Sequence, residues 1–230
     1  MKLYLIDSIF FGAVISLAAY EAGLLIKKKF KLAILNPLLI ATVCVMAVLL
    51  LLKVEYTHYH EGAKYISYLL TPATVCLAIP LYQQLELLKR NLKAVFGGIT
   101  AGVLASLVSV FLLAKLFSLT HEQYVTLLPK SITTAIGMGV SEELSGIPTI
   151  TVAVIIVTGI LGNVIAEFVC RIFRIEEPIA KGLALGTASH AIGTAKAMEF
   201  GEVEGAMSSL AIAVAGLMTV VGASIFASLM

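Results

Sequence analysis

Lys130, Ser131, Thr133 and Thr134 set a cation among hydroxyls in a chain otherwise built of bilayer-length apolar runs. A cation with several neutral donors is what a small carboxylate or hydroxycarboxylate requires. The surrounding segment, Pro129 to Pro148, is interrupted by Gly137 and Gly139. A half-helix beginning there would add partial positive charge from its free amides. A second polar interruption carries Thr187, Ser189, His190 and Thr194 around Gly186 and Gly193. Histidine titrates near neutral pH, so His190 can hold an anion when protonated or relay a proton. Glu143 is the other candidate for a coupled proton. Each residue also has a plainer reading. Lys130 can snorkel to an interface, His190 can sit neutral between helices, and Glu142 and Glu143 can end a half-helix in water.

No enzyme is expected. The chain has no GxSxG, P-loop, HExxH or dinucleotide fingerprint. Ser189 and His190 are neighbours in sequence, and adjacent helical residues point to different faces. Cys44, Cys76 and Cys170 stand singly in apolar runs and read as small apolar side chains, so neither a disulfide, a metal nor a cofactor is called for. Glu55, His58, His60 and Glu61 read as a short solvated loop rather than a metal site. The basic residues gather only at the ends of apolar runs, which gives nucleic acid no surface.

These polar groups have to be positioned by a membrane protein. Of 230 residues, 60% are hydrophobic and 13% charged, against about a quarter charged in soluble domains. The mean hydropathy is +1.02. The length allows about eight spans of about 20 residues and leaves no room for a soluble domain. The reading is an all-α polytopic protein of the inner or plasma membrane, a single membrane domain over 1–230 with N-terminal spans in 1–63 and a core in 64–230. Lipid cannot hydrogen-bond an open backbone, so irregular, hydroxyl-rich chain at membrane depth must be packed inside protein or line a watery cavity. A charge there usually belongs to a pathway.

Along the chain, span 1 covers about Leu3–Ile26, with Lys2 and Asp7 near its start, and ends in Lys27, Lys28, Lys29 and Lys31. The positive-inside rule makes that loop cytoplasmic and the N-terminus external. Span 2 opens at Asn36-Pro37. Span 3, about Lys64–Leu88, carries Pro72 and Pro80 and reads as kinked or broken. Span 4, about Leu92–Phe117, has Gly97, Gly98, Gly102, Ala105 and Ser106 at close-packing spacing, which reads as helix packing rather than chemistry. Tyr124–Gly146 starts and ends on the same side, as a re-entrant hairpin. Span 6, about Ile147–Phe173, carries Gly159, Gly162 and Asn163. Span 7, about Ile179–Met198, is interrupted at Gly186 and Gly193, and span 8, about Ala206–Leu229, returns the C-terminus to the cytoplasm. That makes seven crossings and one re-entrant segment. Spans 2–4 and 6–8 form an inverted pair with broken middle helices, a pattern of secondary transporters.

Several irregular motifs then resemble the LrgB/CidB family. They are Thr71-Pro72-Ala73-Thr74 through Ile79-Pro80, Pro129-Lys130-Ser131 through Gly139-Val140-Ser141-Glu142, Gly186-Thr187-Ala188-Ser189-His190 through Gly193-Thr194, and Glu202-Val203-Glu204-Gly205. The match runs in order over about 64–230. The resemblance implies one of two activities. Family members are described as antiholin-like or holin-like proteins that act with a small LrgA or CidA membrane partner on murein hydrolase activity and lysis. Related sequences include the plastidial glycolate/glycerate transporter and bacterial pairs linked to pyruvate.

The residues favour the second activity, because a pore former needs no broken helices bearing a lysine, hydroxyls and a histidine. The expectation is a carrier of small monocarboxylates, coupled to a proton. Lys130 and the helix ends hold the carboxylate, with Ser131, Thr133, Thr134, Thr187, Ser189 and Thr194 as hydroxyl ligands and His190 or Glu143 for the proton. Its partners are the substrate, membrane lipid and a small LrgA/CidA-like protein. The glycine faces at Gly97–Gly102 and Gly159–Gly162 also allow a homodimer.

Overall fold

The computed structural model describes residues 8–30, 35–76 and 78–230. The expected start of span 1 at Leu3, with Lys2 and Asp7, and Lys31 of the basic cluster lie outside these residues. The described residues are helical, without strands. They form two compact units, Met1–Cys76 and Leu77–Met230.

The first unit holds α1 (Phe11–Phe30), α2 (Pro37–Leu52), α3 (Tyr56–Ser67) and α4 (Leu70–Cys76). Asn36 starts α2 by accepting the amides of Leu38 (2.8 Å) and Leu39 (3.4 Å), and Pro37 takes the first helical position, where its missing N–H costs nothing. The stretch expected as a solvated loop, containing His58, His60 and Glu61, is helix α3. It is fastened to α1 by the 2.8 Å hydrogen bond between Ser16 Oγ and Tyr59 Oη.

The second unit contains α5 (Ala78–Gln83), α6 (Leu85–Arg90), α7 (Leu92–Leu116), α8 (His121–Leu127), α9 (Thr134–Glu143), α10 (Pro148–Ile172), α11 (Pro178–Phe200) and α12 (Glu202–Ala227). The third span expected as one broken helix is divided among α3, α4, α5 and α6. Pro72 and Pro80 stand in the first turns of α4 and α5, where proline removes no helical hydrogen bond. Pro148 and Pro178 likewise open α10 and α11.

Among the described residues three helices, α7, α10 and α12, are long and apolar enough to cross a bilayer. They expose large apolar side chains such as Leu112 (59%), Phe168 (65%) and Leu217 (72%), which suits lipid and not water. α7 and α10 run in opposite senses. The end of α7 leads into α8, whose Tyr124 hydroxyl donates to Phe226 O at the end of α12 (2.9 Å). The start of α10 lies at that same far end, because the amide of Ile147 donates to Thr126 Oγ1 (2.9 Å). The opposite end collects Lys89, Arg90 and Lys93 before and within the start of α7, and Arg171, Arg174 and Lys181 around the turn from α10 to α11. We call it the basic end.

α8 and α9 form a hairpin inserted from the far end. Thr120 and Gln123 close a capping box that starts α8. The chain breaks at 128–133, and α9 returns to its starting level, where the Thr151 hydroxyl donates to Thr126 O (2.9 Å) and pairs with Ser141 Oγ (2.7 Å). Gly137 and Gly139, expected as breaks, lie inside α9. Gly137 instead gives Ile155 room.

α11 is a second hairpin. Its backbone leaves helical geometry at Ser189 (φ −130°, ψ 15°) and His190 (φ 42°, ψ −135°). Gly193 rests against the carbonyl of Leu185, a pair that a continuous helix would hold about 12 Å apart. The arms lie side by side on α12: Gly186 and Thr194 both meet Ser208, and Gly182 and Met198 meet Glu204 and Gly205. Lys181, Phe200 and Glu204 line one small hollow with Arg171 and Arg174, so α11 starts and finishes at the basic end.

Three expectations change as a result. The helix expected as span 7 folds back on itself, the breaks expected at Gly186 and Gly193 fall at Ser189–His190, and α12 ends opposite the basic loops rather than on their side. The helices also do not group as spans 2–4 and 6–8: α7 is followed by a hairpin from the far end, and α10 by one from the basic end.

Candidate functional site

The two hairpin tips meet in one cavity of about 920 Å³ beside α7 and α10. From the first tip it receives Lys130 and Ser131, and from the second Thr187 and Ser189. Lys130 Nζ donates to Ser131 Oγ (2.9 Å), which also accepts from Ser106 Oγ (3.2 Å) near the middle of α7. The first tip is thus tied halfway along a membrane-length helix. Among the described residues no carboxylate pairs with Lys130. An unpaired ammonium at such depth is costly.

Glycines make room for the second tip. On α7, Gly98 faces Leu183 and Gly102 faces the Thr187 methyl, while on α10 Gly159 faces the His190 ring and Gly162 faces Ser189 Oγ. These are the small-residue faces expected to serve helix packing or a homodimer. Within the chain Gly98, Gly102, Gly159 and Gly162 are occupied by α11, and only Gly97 faces open space.

Not every expected residue reaches the cavity. His190 is buried (4% exposed) and its Nε2 lies 3.0 Å from Ile155 O. A carbonyl has no proton to give, so Nε2 carries the hydrogen and donates it. Thr194 donates to His190 O (3.0 Å) and accepts from Ser208 Oγ (2.7 Å), which braces the break from behind. Thr133 is the residue before α9 and Thr134 its first residue. Both are half-buried outside the cavity lining, and Glu143 is exposed at the end of α9. Pro129 stands in the first tip.

The cavity also holds Ser106, which the sequence reads as helix packing, and Ser109 and Thr158, which it does not single out. For Ser106 the signal was present: Gly98, Gly102 and Ser106 follow a four-residue period and form one stripe on α7.

Towards the basic end the cavity reaches Asn91 and the exposed Glu177. Towards the far end it is closed by the first hairpin, where Tyr124, Val125, Leu128 and Ile132 are at most 2% exposed. The return arm of α11 is held to α10 by Asn163 Nδ2 donating to Ile192 O (3.0 Å) and by Lys196, which bridges Glu167 (2.7 Å) and Glu199 (2.9 Å).

Membrane-length helices enclosing two polar hairpin tips define a helical membrane protein with an internal polar site. The chain belongs to the LrgB-like family, whose profile matches residues 16–229 and so includes most of the N-terminal unit as well as the core. It is 40% identical over 213 residues to the antiholin-like protein LrgB of Bacillus cereus (strain B4264), covering 92% of this chain and 93% of that one. The antiholin-like protein LrgB of Bacillus anthracis (strain A0248) matches to the same extent. No solved structure matches the chain.

Proposed function

We propose that this protein is a secondary carrier of small monocarboxylates such as pyruvate, glycolate or glycerate, working by alternating access. The observation that carries the reading is the meeting of two opposed hairpin tips, with an unpaired lysine, in one mid-depth cavity. Half-helices that meet at the membrane midplane are the recurrent substrate site of such carriers. In this reading Lys130 and Ser131 take the carboxylate, and Thr187 and Ser189 take further oxygens. Thr133, Thr134 and Thr194 support the two tips. Proton coupling belongs to the same reading, with His190 as the ionisable side chain at the break. Glu143, remote from the cavity, is not kept in that role.

The positive-inside rule assigns the basic end to the cytoplasm. In the second unit α7, α10 and α12 then cross, the two hairpins re-enter, and α12 ends outside. The cavity faces inward, with the first hairpin as the closed outer gate.

A second reading rests on the name of the relatives, antiholin-like protein LrgB: a modulator of lysis that acts through a small LrgA/CidA-type membrane partner. One experiment separates the two. The purified protein in liposomes is given labelled pyruvate or glycolate and an imposed proton gradient, with Lys130→Met as the variant. Saturable, gradient-driven uptake that the variant loses while still folding supports the carrier. No flux, with tight binding to the small partner, supports the modulator, and unsaturable leakage supports a pore.

A further inference from the structure

Thr187 Oγ1 is buried without a hydrogen-bond partner, the only such side-chain atom among the described residues. Thr187 is 5% exposed and lines the cavity, with its methyl group over Gly102. A buried hydroxyl left unpaired is expensive, and an exception of this kind asks for an explanation. Of the neighbouring serines, Ser106 donates to Ser131 and Ser109 donates to Ser106 O (2.8 Å). Besides the Ser131 and Ser189 hydroxyls, two groups of the lining keep capacity for a ligand. They are the ammonium of Lys130, which has three protons and gives one to Ser131, and the hydroxyl of Thr187.

α7 fixes the spacing between them. Thr187 lies over Gly102, and the Lys130–Ser131 pair is tied to Ser106, one turn further along the same face. Residues four apart on a helix are about 6 Å apart. An acid of about two to four carbons that carries a second oxygen covers such a gap. A plain alkyl acid would engage Lys130 and leave Thr187 facing a methyl group.

We infer that Thr187 is a specificity-determining residue: it binds a hydroxyl or keto oxygen of the substrate, one helical turn from the carboxylate held at Lys130, and so selects hydroxy and keto acids over plain alkyl acids. This rests on the carrier reading above. Sites built to bond a substrate hydroxyl reject analogues that lack it, because the site's own polar group is then left unpaired.

The test compares labelled lactate with labelled propionate, which differ by one hydroxyl, in liposomes of the full-length protein after subtraction of protein-free liposomes. The wild type is expected to favour lactate by about tenfold or more. Thr187→Val, of nearly the same shape, brings the ratio close to one by slowing lactate and sparing propionate, and Thr187→Ser restores the preference. A wild-type ratio near one overturns the inference whatever the variants do, as does a folded Thr187→Val protein that keeps the preference. Both results leave the carrier reading standing. If the wild type transports neither acid and neither raises its unfolding temperature, the carrier reading falls and this inference falls with it.

Discussion

Ser189 Oγ rests directly against the Cα of Gly162, so that a methyl group added at that glycine would fall on the hydroxyl. The contact seats the tip of the second hairpin on the middle of α10, and the cavity takes its shape from that seat.

Gly162→Ala should therefore displace the tip. Overpacking of this kind costs about 1–3 kcal/mol, and the Ser189 hydroxyl leaves the cavity wall. The expected outcome is a lower unfolding temperature in detergent and a severe loss of uptake. Gly97→Ala is the matched control, because nothing lies within 4 Å of an added methyl there, and helix propensity alone would favour it by up to about 1 kcal/mol. Equal behaviour of the two variants would deny Gly162 its role.

The break in α11 gives a second prediction. Among the described residues, five non-glycine residues have positive φ. Lys53, Ser118, Ser145 and Arg174 stand just beyond helix ends, where a left-handed residue caps the last carbonyls. His190 is the exception, strained in the middle of an element, and such strain is characteristic of functional sites. His190→Gly and His190→Ala both lose the bond to Ile155, but only glycine adopts the backbone freely. The glycine variant should be the more stable by about 1 kcal/mol or more in parallel thermal melts. If alanine is equal or better, the backbone at 190 carries no strain.

The long helices were legible because nothing but lipid explains such runs of apolar residues, and Pro37, Pro148 and Pro178 mark the helix starts. Lys130 with its hydroxyls stood out for the same reason, as polar chain where lipid forbids it. Two features were hidden. The 23 residues of α11 are long enough to cross a bilayer, and only their contacts with α12 reveal that they fold back. Glycine in a helix also has two meanings. Gly186 and Gly193 were read as breaks, yet they supply the room that lets the arms of the hairpin approach Ser208 and Leu185. The break itself falls on a serine and a histidine, which carry no backbone signal.

The fold-back determines where the chain ends, and that can be measured. If α11 crossed the membrane, Glu176 in the turn before it would lie on the same side as Ser228 after α12. With α11 folded back, Glu176 and Lys93 share the basic end while Ser228 and Gln123 share the far end. All four side chains are exposed. The free Cys44, Cys76 and Cys170 are first changed to alanine, and single cysteines are then placed at these positions in turn. A membrane-impermeant maleimide applied to intact cells should label Gln123→Cys and Ser228→Cys, and should reach Lys93→Cys and Glu176→Cys only after the membrane is opened. The positive-inside rule gives the expected direction, since Lys89 and Arg90 lie beside position 93, and Arg171, Arg174 and Lys181 lie around position 176. Reversal of all four would invert the orientation but keep the hairpin. Labelling of Glu176→Cys together with Ser228→Cys would mean that α11 spans the bilayer, and the two tips could not then meet in one cavity.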